Sequence, residues 1–242
     1  ANILLNQPEV VAEKRHHVRV AFGAGLTAET IEKFEARFKI PLIETYGLTE
    51  CPMGTSNLVD DRKSGSIGKP SGHPDPQIYT ELKIVDEQDE EVSRGEVGEI
   101  VLQSPVMFAG YFKDKRATDA AMRGGWFHTG DIGYRDKDGW VYFVDRKKDI
   151  IRRKGENVSA REIEGVIARM AEIAEVAVIP IPGVLGDEEI KACVIKKRDG
   201  KVDGEGIRAW CRKYLAEHKV PDLVEFMAEL PKTATQKVAK AE

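Results

Sequence analysis

Val18 to Glu50 reads VRVAFGAGLTAETIEKFEARFKIPLIETYGLTE, and within it the hydrophobic period changes twice. VRVAF (18–22) is a short β-rich run closed by the turn Gly23-Ala24-Gly25. Ile31, Phe34 and Phe38 follow at i, i+3 and i+7, the spacing of a buried helical stripe, and Pro41 stops that helix. LIETY (42–46) is β-rich again. Strand, turn, helix and strand make a βαβ-like unit, which implies a parallel neighbour and an α/β layer. The turn also satisfies G-x-G-x-x-G/A as Gly23-Ala24-Gly25-Leu26-Thr27-Ala28, and Glu44 stands where a ribose-binding acid would follow. That pattern admits a dinucleotide site, or a Gly-rich βα turn with no cofactor. Thr45 to Glu50 admits two readings as well. Gly47 allows close backbone approach, a hydroxyl can bond phosphate, Glu50 can hold Mg²⁺ and Tyr46 offers a flat face to a base. Alternatively Thr49 caps a following helix, with Glu50 in its first turn.

Outward from this unit the character shifts. Residues 52–75 are rich in Gly, Pro and Ser and read as loop. YTELKIV (79–85), EIVLQ (99–103) and WVYFV (140–144) are short strands separated by turn signals, as in an antiparallel sheet or barrel. IIRRKGENV (150–158) reads as a hairpin around Gly155. Ser159 and Glu162 then form an S-x-x-E capping box ahead of Ile163, Val166, Ile167 and Met170. AEVAVIPI (174–181) and IKACVIK (190–196) are strands, and Asp203 caps a second helix bearing Ile207, Trp210, Cys211, Tyr214 and Leu215. The character is thus α/β at the start, an antiparallel sheet or barrel from about Gln77 to Asp145, and α+β over the last hundred residues.

The 242 residues carry 37 Lys plus Arg and 41 Asp plus Glu, a net charge of −4. Charge is unevenly spread, at −7 over residues 1–145 and +3 over residues 146–242. Apolar residues make up 41%, which excludes global disorder. The most apolar stretch, Val176 to Leu185, is broken by Pro180, Pro182 and Gly183, so no transmembrane segment is expected. Cys51, Cys193 and Cys211 are too widely spaced for a zinc site or a disulfide framework, and a reducing, cytoplasmic setting is expected. The sequence begins at Ala1 rather than Met, no secretory signal is expected in its first residues, and it is expected to start inside a longer protein.

Three further motifs each have a functional and a plain reading. In Trp126-Phe127-His128-Thr129-Gly130-Asp131, Asp131 can accept two ribose hydroxyls or cap a turn, and His128 fits a packed or surface residue better than acid–base work. Asp145 to Lys154, DRKKDIIRRK, suits a phosphate-binding or nucleic-acid patch, but no aromatic residues are interleaved and the overall charge is negative. Pro231 to Lys237, PKTATQK, is by itself a basic tail.

The order of the motifs is more specific than any one of them. TYGLTE (45–50), GSIGKP (65–70), GEIVLQ…GY (98–111), WFHTGD (126–131), DRKKDIIRRKGENVSAREIE (145–164) and LPKTATQK (230–237) follow in succession. This series resembles the adenylate-forming superfamily, which includes acyl-CoA synthetases, adenylation domains of peptide synthetases and firefly-type luciferases. The resemblance implies that Gly23, Ala24 and Tyr46 border adenine, Thr49 bonds the α-phosphate and Glu50 helps hold Mg²⁺. It implies that Asp131 grips the ribose with Arg146 beside it, and that Lys237 is the mobile catalytic lysine. Lys148 falls at the hinge position, and Gly155, Glu156 and Asn157 on the hairpin that faces CoA after the small domain rotates. The implied substrates are a carboxylic acid, ATP and CoA, and the implied architecture is an α/β remnant (1–60), an antiparallel β-barrel subdomain (61–147) and a small α+β domain (148–242).

Two departures qualify the likeness. Gln236 stands where the family usually has Gly before the catalytic lysine. The Ser/Thr/Gly-rich phosphate loop, T-S-G-T-T-G-x-P-K-G in type, is absent from these 242 residues. The sequence is therefore expected to be a C-terminal portion, inactive in adenylation without an upstream part. The alternatives are an amino-acid-activating adenylation domain, an NAD-dependent dehydrogenase fragment built on Gly23 to Glu44, and a nucleic-acid-binding module using residues 146–154.

Overall fold

The computed structural model describes residues 1–183, 187–233 and 238–240. It divides into two compact units, Ala1–Phe143 and Val144–Glu242.

The first unit opens with a one-turn helix α1 (Asn2–Leu5), then strand β1 (Ala21–Gly23), helix α2 (Ala28–Phe38) and strand β2 (Leu42–Tyr46). β1 and β2 are parallel, with Ala21 opposite Leu42 and Gly23 opposite Glu44, so the βαβ unit stands. Thr27 caps α2 by accepting the Thr30 amide at 3.1 Å, and Phe34 and Phe38 bury its inner stripe. The helix ends at Lys39, in the left-handed region at φ 57°, two residues ahead of Pro41. Two short strands within the expected loop extend the sheet: β3 (Thr55–Ser56) pairs antiparallel with β2, and β4 (Lys69–Pro70) antiparallel with β3.

The β-rich part is a five-stranded antiparallel sheet. It comprises β5 (Glu81–Val85), β6 (Val97–Gln103), β7 (Met122–Arg123), β8 (Trp126–Arg135) and β9 (Val141–Arg146), in the order β5-β6-β8-β7 with β9 also on β8. Helix α3 (Lys115–Ala121) precedes β7 and is capped by Asp114. Its apolar core is Leu82, Ile84, Ile100, Leu102, Phe127 and Val141, with Cys51 and Ile67 joining from the preceding loops. Each such side chain contributes roughly 1.5–3 kcal/mol on burial. Gly68 joins the two sheets: its carbonyl accepts the Val141 amide at 2.9 Å, and the Ile67 amide reaches the Val141 carbonyl at 2.8 Å. At φ +98°, a Cβ on Gly68 would lie 2.1 Å from the Ser56 backbone, so glycine is required there.

The second unit contains a hairpin of β10 (Ile150–Arg153) and β11 (Glu156–Ser159), helix α4 (Ala160–Ile167), strands β12 (Ile173–Pro182) and β13 (Glu188–Lys196), helix α5 (Gly204–Tyr214) and strand β14 (Leu223–Phe226). The hairpin turns at Lys154 (φ 50°) and Gly155 (φ 81°), two successive positive φ values that match strand twist. β12 and β13 are antiparallel, and β14 adds parallel to β13. Both helices pack Ile163, Ile167, Ile207 and Cys211 onto Val178, Ile190 and Val194. Only one arm of the anticipated capping box is made as expected. Ser159 Oγ accepts the Glu162 amide at 3.2 Å, whereas the Glu162 carboxylate accepts Lys219 Nζ at 2.7 and 2.9 Å.

All three cysteines are buried thiols, and burial pushes Cys211 up to about 11. We expect iodoacetamide at pH 8 to leave them unmodified in the folded chain and to label all three after unfolding. Labelling of any cysteine at the unfolded rate would contradict this packing. Arg153 is also buried, donating to the carbonyls of His218 and Val220 at 2.8 Å and pairing with Asp222. Arg153→Ala should destabilise the second unit by about 3–5 kcal/mol in urea unfolding followed through Trp210.

Candidate functional site

In a parallel sheet, ligands gather at the carboxyl ends of the strands. β1 ends at Gly23 and β2 at Tyr46, so Gly23-Ala24 and the 46–50 turn emerge side by side. Thr45 Oγ1 donates to the Gly23 carbonyl at 3.1 Å and ties the two exits together. No helix follows Tyr46. Leu48 and Cys51 exchange backbone hydrogen bonds of 3.0 and 3.1 Å, so Thr49 and Glu50 occupy a tight turn. A Cβ on Gly47 would lie 2.5 Å from the Pro52 carbonyl oxygen, so the turn demands glycine. Thr49 is exposed and Glu50 half-buried. Tyr111 donates its hydroxyl to Glu50 Oε1 at 2.9 Å, while the Phe108 amide bonds the Glu50 carbonyl at 2.8 Å. Burial and the neighbouring Glu50 raise the Tyr111 phenol above its ordinary value.

Asp131 comes to the same place from β8. Tyr46 donates its hydroxyl to Asp131 Oδ2 at 2.6 Å, across 85 residues of sequence. Asp131 is 1% exposed. Its direction is set by an irregularity: Glu99 faces Ile132 but Val101 faces His128, leaving Thr129, Gly130 and Asp131 opposite Ile100. Such bulges re-aim side chains.

Glu44 has a different task from the one a dinucleotide site requires. Its two oxygens accept the amides of Gly25 and Leu26, each at 2.9 Å. Those amides belong to the turn that would receive a pyrophosphate, and the acid that would take the ribose holds them instead. The geometry therefore disfavours the dehydrogenase alternative.

A cavity of about 560 Å³ adjoins Tyr46, lined also by Phe22, Thr45, Met53, Lys69 and Trp140. Phe22, Met53 and Trp140 belong to no functional motif in the sequence. Lys69 Nζ lies 4.1 Å from the Trp140 ring centroid and 3.0 Å from Asp61 Oδ2, so the lining includes a cation already engaged.

In the second unit, Arg146 and Lys148 are exposed, as are Gly155, Glu156 and Asn157 on the hairpin. Asp145 beside them is buried; it accepts the Arg146 amide at 2.8 Å, the Ser159 hydroxyl at 2.7 Å and the Arg161 amide at 2.9 Å. Because Arg153 is buried, the basic run 146–154 is not one continuous solvated patch. Lys237 and Gln236 lie outside the described residues. The segment flanking them is pinned: Lys232 bridges Val238, Lys232 pairs with Glu175, and Lys240 meets Glu164 at 2.7 Å. Burial raises the Glu164 carboxyl above its usual value, a shift that Lys240 opposes.

Residues 1–112 match the family model for the AMP-binding enzyme, and residues 162–237 match that for the AMP-binding enzyme C-terminal domain. The chain belongs to the adenylate-forming superfamily. Among relatives within that superfamily, a long-chain-fatty-acid–CoA ligase of Salmonella typhimurium is 38% identical, over 100% of this chain and 42% of its own length. ATP-bound MatB from Rhodopseudomonas palustris superposes with a TM-score of 0.86 at 31% identity, covering 98% of this chain and 47% of MatB. The amide bond synthetase McbA from Marinactinospora thermotolerans gives 0.81 at 30% identity, covering 99% of this chain and 50% of McbA. The chain thus spans less than half the length of the curated relatives it matches.

Tyr46→Phe removes one donor to a buried carboxylate, and should lower the stability of the first unit by about 1.5–3 kcal/mol. Combining it with Asp131→Ala should recover much of that loss, because the two groups share one bond. Strictly additive losses would show that the pair is not coupled.

Proposed function

We propose that this chain is the C-terminal portion of an AMP-forming acid–thiol ligase, an acyl-CoA synthetase. The observation that carries the proposal is the convergence of Gly23-Ala24, the 46–50 turn and Asp131 at the carboxyl ends of one parallel strand pair. Similarity to a CoA ligase along the whole chain supports it.

In this reading Gly23, Ala24 and Tyr46 border the adenine, Asp131 accepts the ribose hydroxyls with Arg146 assisting, and Thr49 donates to the α-phosphate. Glu50 fits a magnesium ion brought by the triphosphate: Mg²⁺ typically takes one or two carboxylates plus phosphate oxygens, and this one is half-buried on a glycine-fixed turn. Glu50 would hold such an ion, which would supply positive charge to the phosphates. The substrate carboxylate oxygen forms a bond to the α-phosphorus as the bond to pyrophosphate breaks, giving acyl-adenylate. Lys237 offsets the negative charge developing between these anions, a task for a compact ammonium. The thiol sulfur of CoA then bonds the acyl carbon, AMP leaves, and the thiol proton passes to solvent.

The proposed domains are 1–147 and 148–242, with rotation at Lys148 presenting Gly155, Glu156 and Asn157 to the CoA side. Rotation at that residue breaks the bonds from Asp145 to Ser159 and Arg161, since they span it. The buried thiols suit a reducing, cytoplasmic location, and no helix among the described residues is long and apolar enough to cross a membrane. The likeness to McbA supports a second reading of the last step, in which an amine replaces the thiol as nucleophile.

The chain alone should show no carboxylate-dependent ATP–pyrophosphate exchange, because the phosphate loop is proposed to lie upstream. Robust exchange by the 242 residues would overturn that assignment. In the longer enzyme, Lys237→Ala should slow adenylation about 10²–10³-fold, with thioester formation from supplied acyl-adenylate largely retained. Equal loss of both steps would refute the role given to Lys237. Supplying CoA or an amine to preformed acyl-adenylate, and analysing the product, separates the two readings of the second step.

A further inference from the structure

Glu99 is a buried acid, 6% exposed, in the middle of a β-strand where burial of a carboxylate is costly. Its Oε1 accepts the Gly130 amide at 3.1 Å. Gly130 stands at φ +68°, within the irregularity opposite Ile100, so its N–H is turned out of the regular ladder and takes a side-chain acceptor. The residues on either side are held as well. Thr129 Oγ1 donates to the Ile100 carbonyl at 2.7 Å and accepts the Asp131 amide at 3.0 Å. Asp131 then meets Tyr46 at 2.6 Å.

The surroundings fix Glu99 itself. His128 Nδ1 lies 3.6 Å from Glu99 Oε2, and the His128 side chain is 7% exposed. Arg123 approaches the same Nδ1 at 2.8 Å, and Asp89 lies 3.9 Å from His128 Nε2. The histidine of the WFHTGD motif is thus a packed member of a polar cluster behind the bulge.

We propose that Glu99 is a positioning residue for Asp131: by accepting the Gly130 amide it holds the bulge in the shape that delivers the Asp131 carboxylate to Tyr46 and the ribose. The inference rests on the reading of Asp131 as the ribose acid. Glu99 itself is buried, with the Gly130 amide on one carboxylate oxygen and His128 beside the other. It acts through one backbone amide and one glycine.

Two variants separate the acceptor from the volume. Glu99→Gln keeps an oxygen for the Gly130 amide, whereas Glu99→Met fills similar space without one. In this chain, hydrogen exchange at the Gly130 amide should be slow in wild type and in Glu99→Gln, and at least about ten-fold faster in Glu99→Met. An unprotected Gly130 amide in the unaltered chain overturns the inference even if Glu99→Met does not fold. In the longer enzyme, the preference for ATP over 2′-deoxy-ATP and 3′-deoxy-ATP in kcat/KM should collapse in Asp131→Ala. It should fall about ten-fold in Glu99→Met, mainly through KM, and survive in Glu99→Gln. Preference retained in Glu99→Met while lost in Asp131→Ala overturns the positioning role alone. Preference retained in Asp131→Ala overturns the ribose reading beneath it.

Discussion

The hydrogen bond between Tyr46 and Asp131 joins two parts of the first unit that have different sheet logic. Tyr46 closes a strand of a parallel pair, where the exits of β1 and β2 must lie side by side. Asp131 belongs to an antiparallel sheet, whose regular alternation would place an acid on a predetermined face. The shift of register between Glu99 and Val101 frees Asp131 from that alternation, and the 2.6 Å contact then closes a link across 85 residues. Gly68, bridged to Val141 against the Ser56 backbone, supplies a second junction of the same two parts. Both junctions depend on glycine, at 68 and at 130, in conformations that other residues adopt only under strain.

Periodic segments were legible in the sequence, and irregular ones were not. LIETY is β2 residue for residue, and the Ile31, Phe34, Phe38 stripe is the inner side of α2. VRVAF contracts to Ala21–Gly23 because its parallel partner β2 begins only at Leu42, opposite Ala21. The longest strand of the antiparallel sheet, Trp126–Arg135, escaped notice because Gly130 and Gly133 interrupt its hydrophobic pattern. Their role is tertiary: a Cβ on Gly133 would lie 2.6 Å from the Tyr142 carbonyl oxygen. β14 was missed for the opposite reason. LVEF is short and largely exposed, and what recruits it is the row of ladder partners Lys191 to Val194.

The site shows the same division. Motif order brought Tyr46, Thr49, Glu50 and Asp131 forward without geometry. Tyr111 entered only as part of a motif, yet it is the residue that meets Glu50. Phe22, Met53 and Trp140 carry no local signal at all, being ordinary apolar residues until the fold places them around one cavity. Contacts of this kind depend on separations of tens of residues, which no window along the chain can register.

Among the described residues four acids are buried to less than a tenth of their surface, Glu44, Glu99, Asp131 and Asp145. Burying a carboxylate is tolerable only where N–H or O–H groups replace water. Glu44 serves the amides of Gly25 and Leu26, Glu99 that of Gly130, and Asp145 those of Arg146 and Arg161. These are the points where the backbone leaves a regular ladder: a βα turn, a bulge and the entry to a helix. Each acid therefore does conformational work, supplying an acceptor that secondary structure does not. Asp131 meets a side-chain hydroxyl, the same chemical group that a ribose presents. Composition cannot distinguish such acids from one another. The partner each one faces does: Glu44 and Glu99 hold backbone amides and Asp145 two amides with the Ser159 hydroxyl, whereas Asp131 accepts the Tyr46 hydroxyl and so ties the antiparallel sheet to the parallel pair.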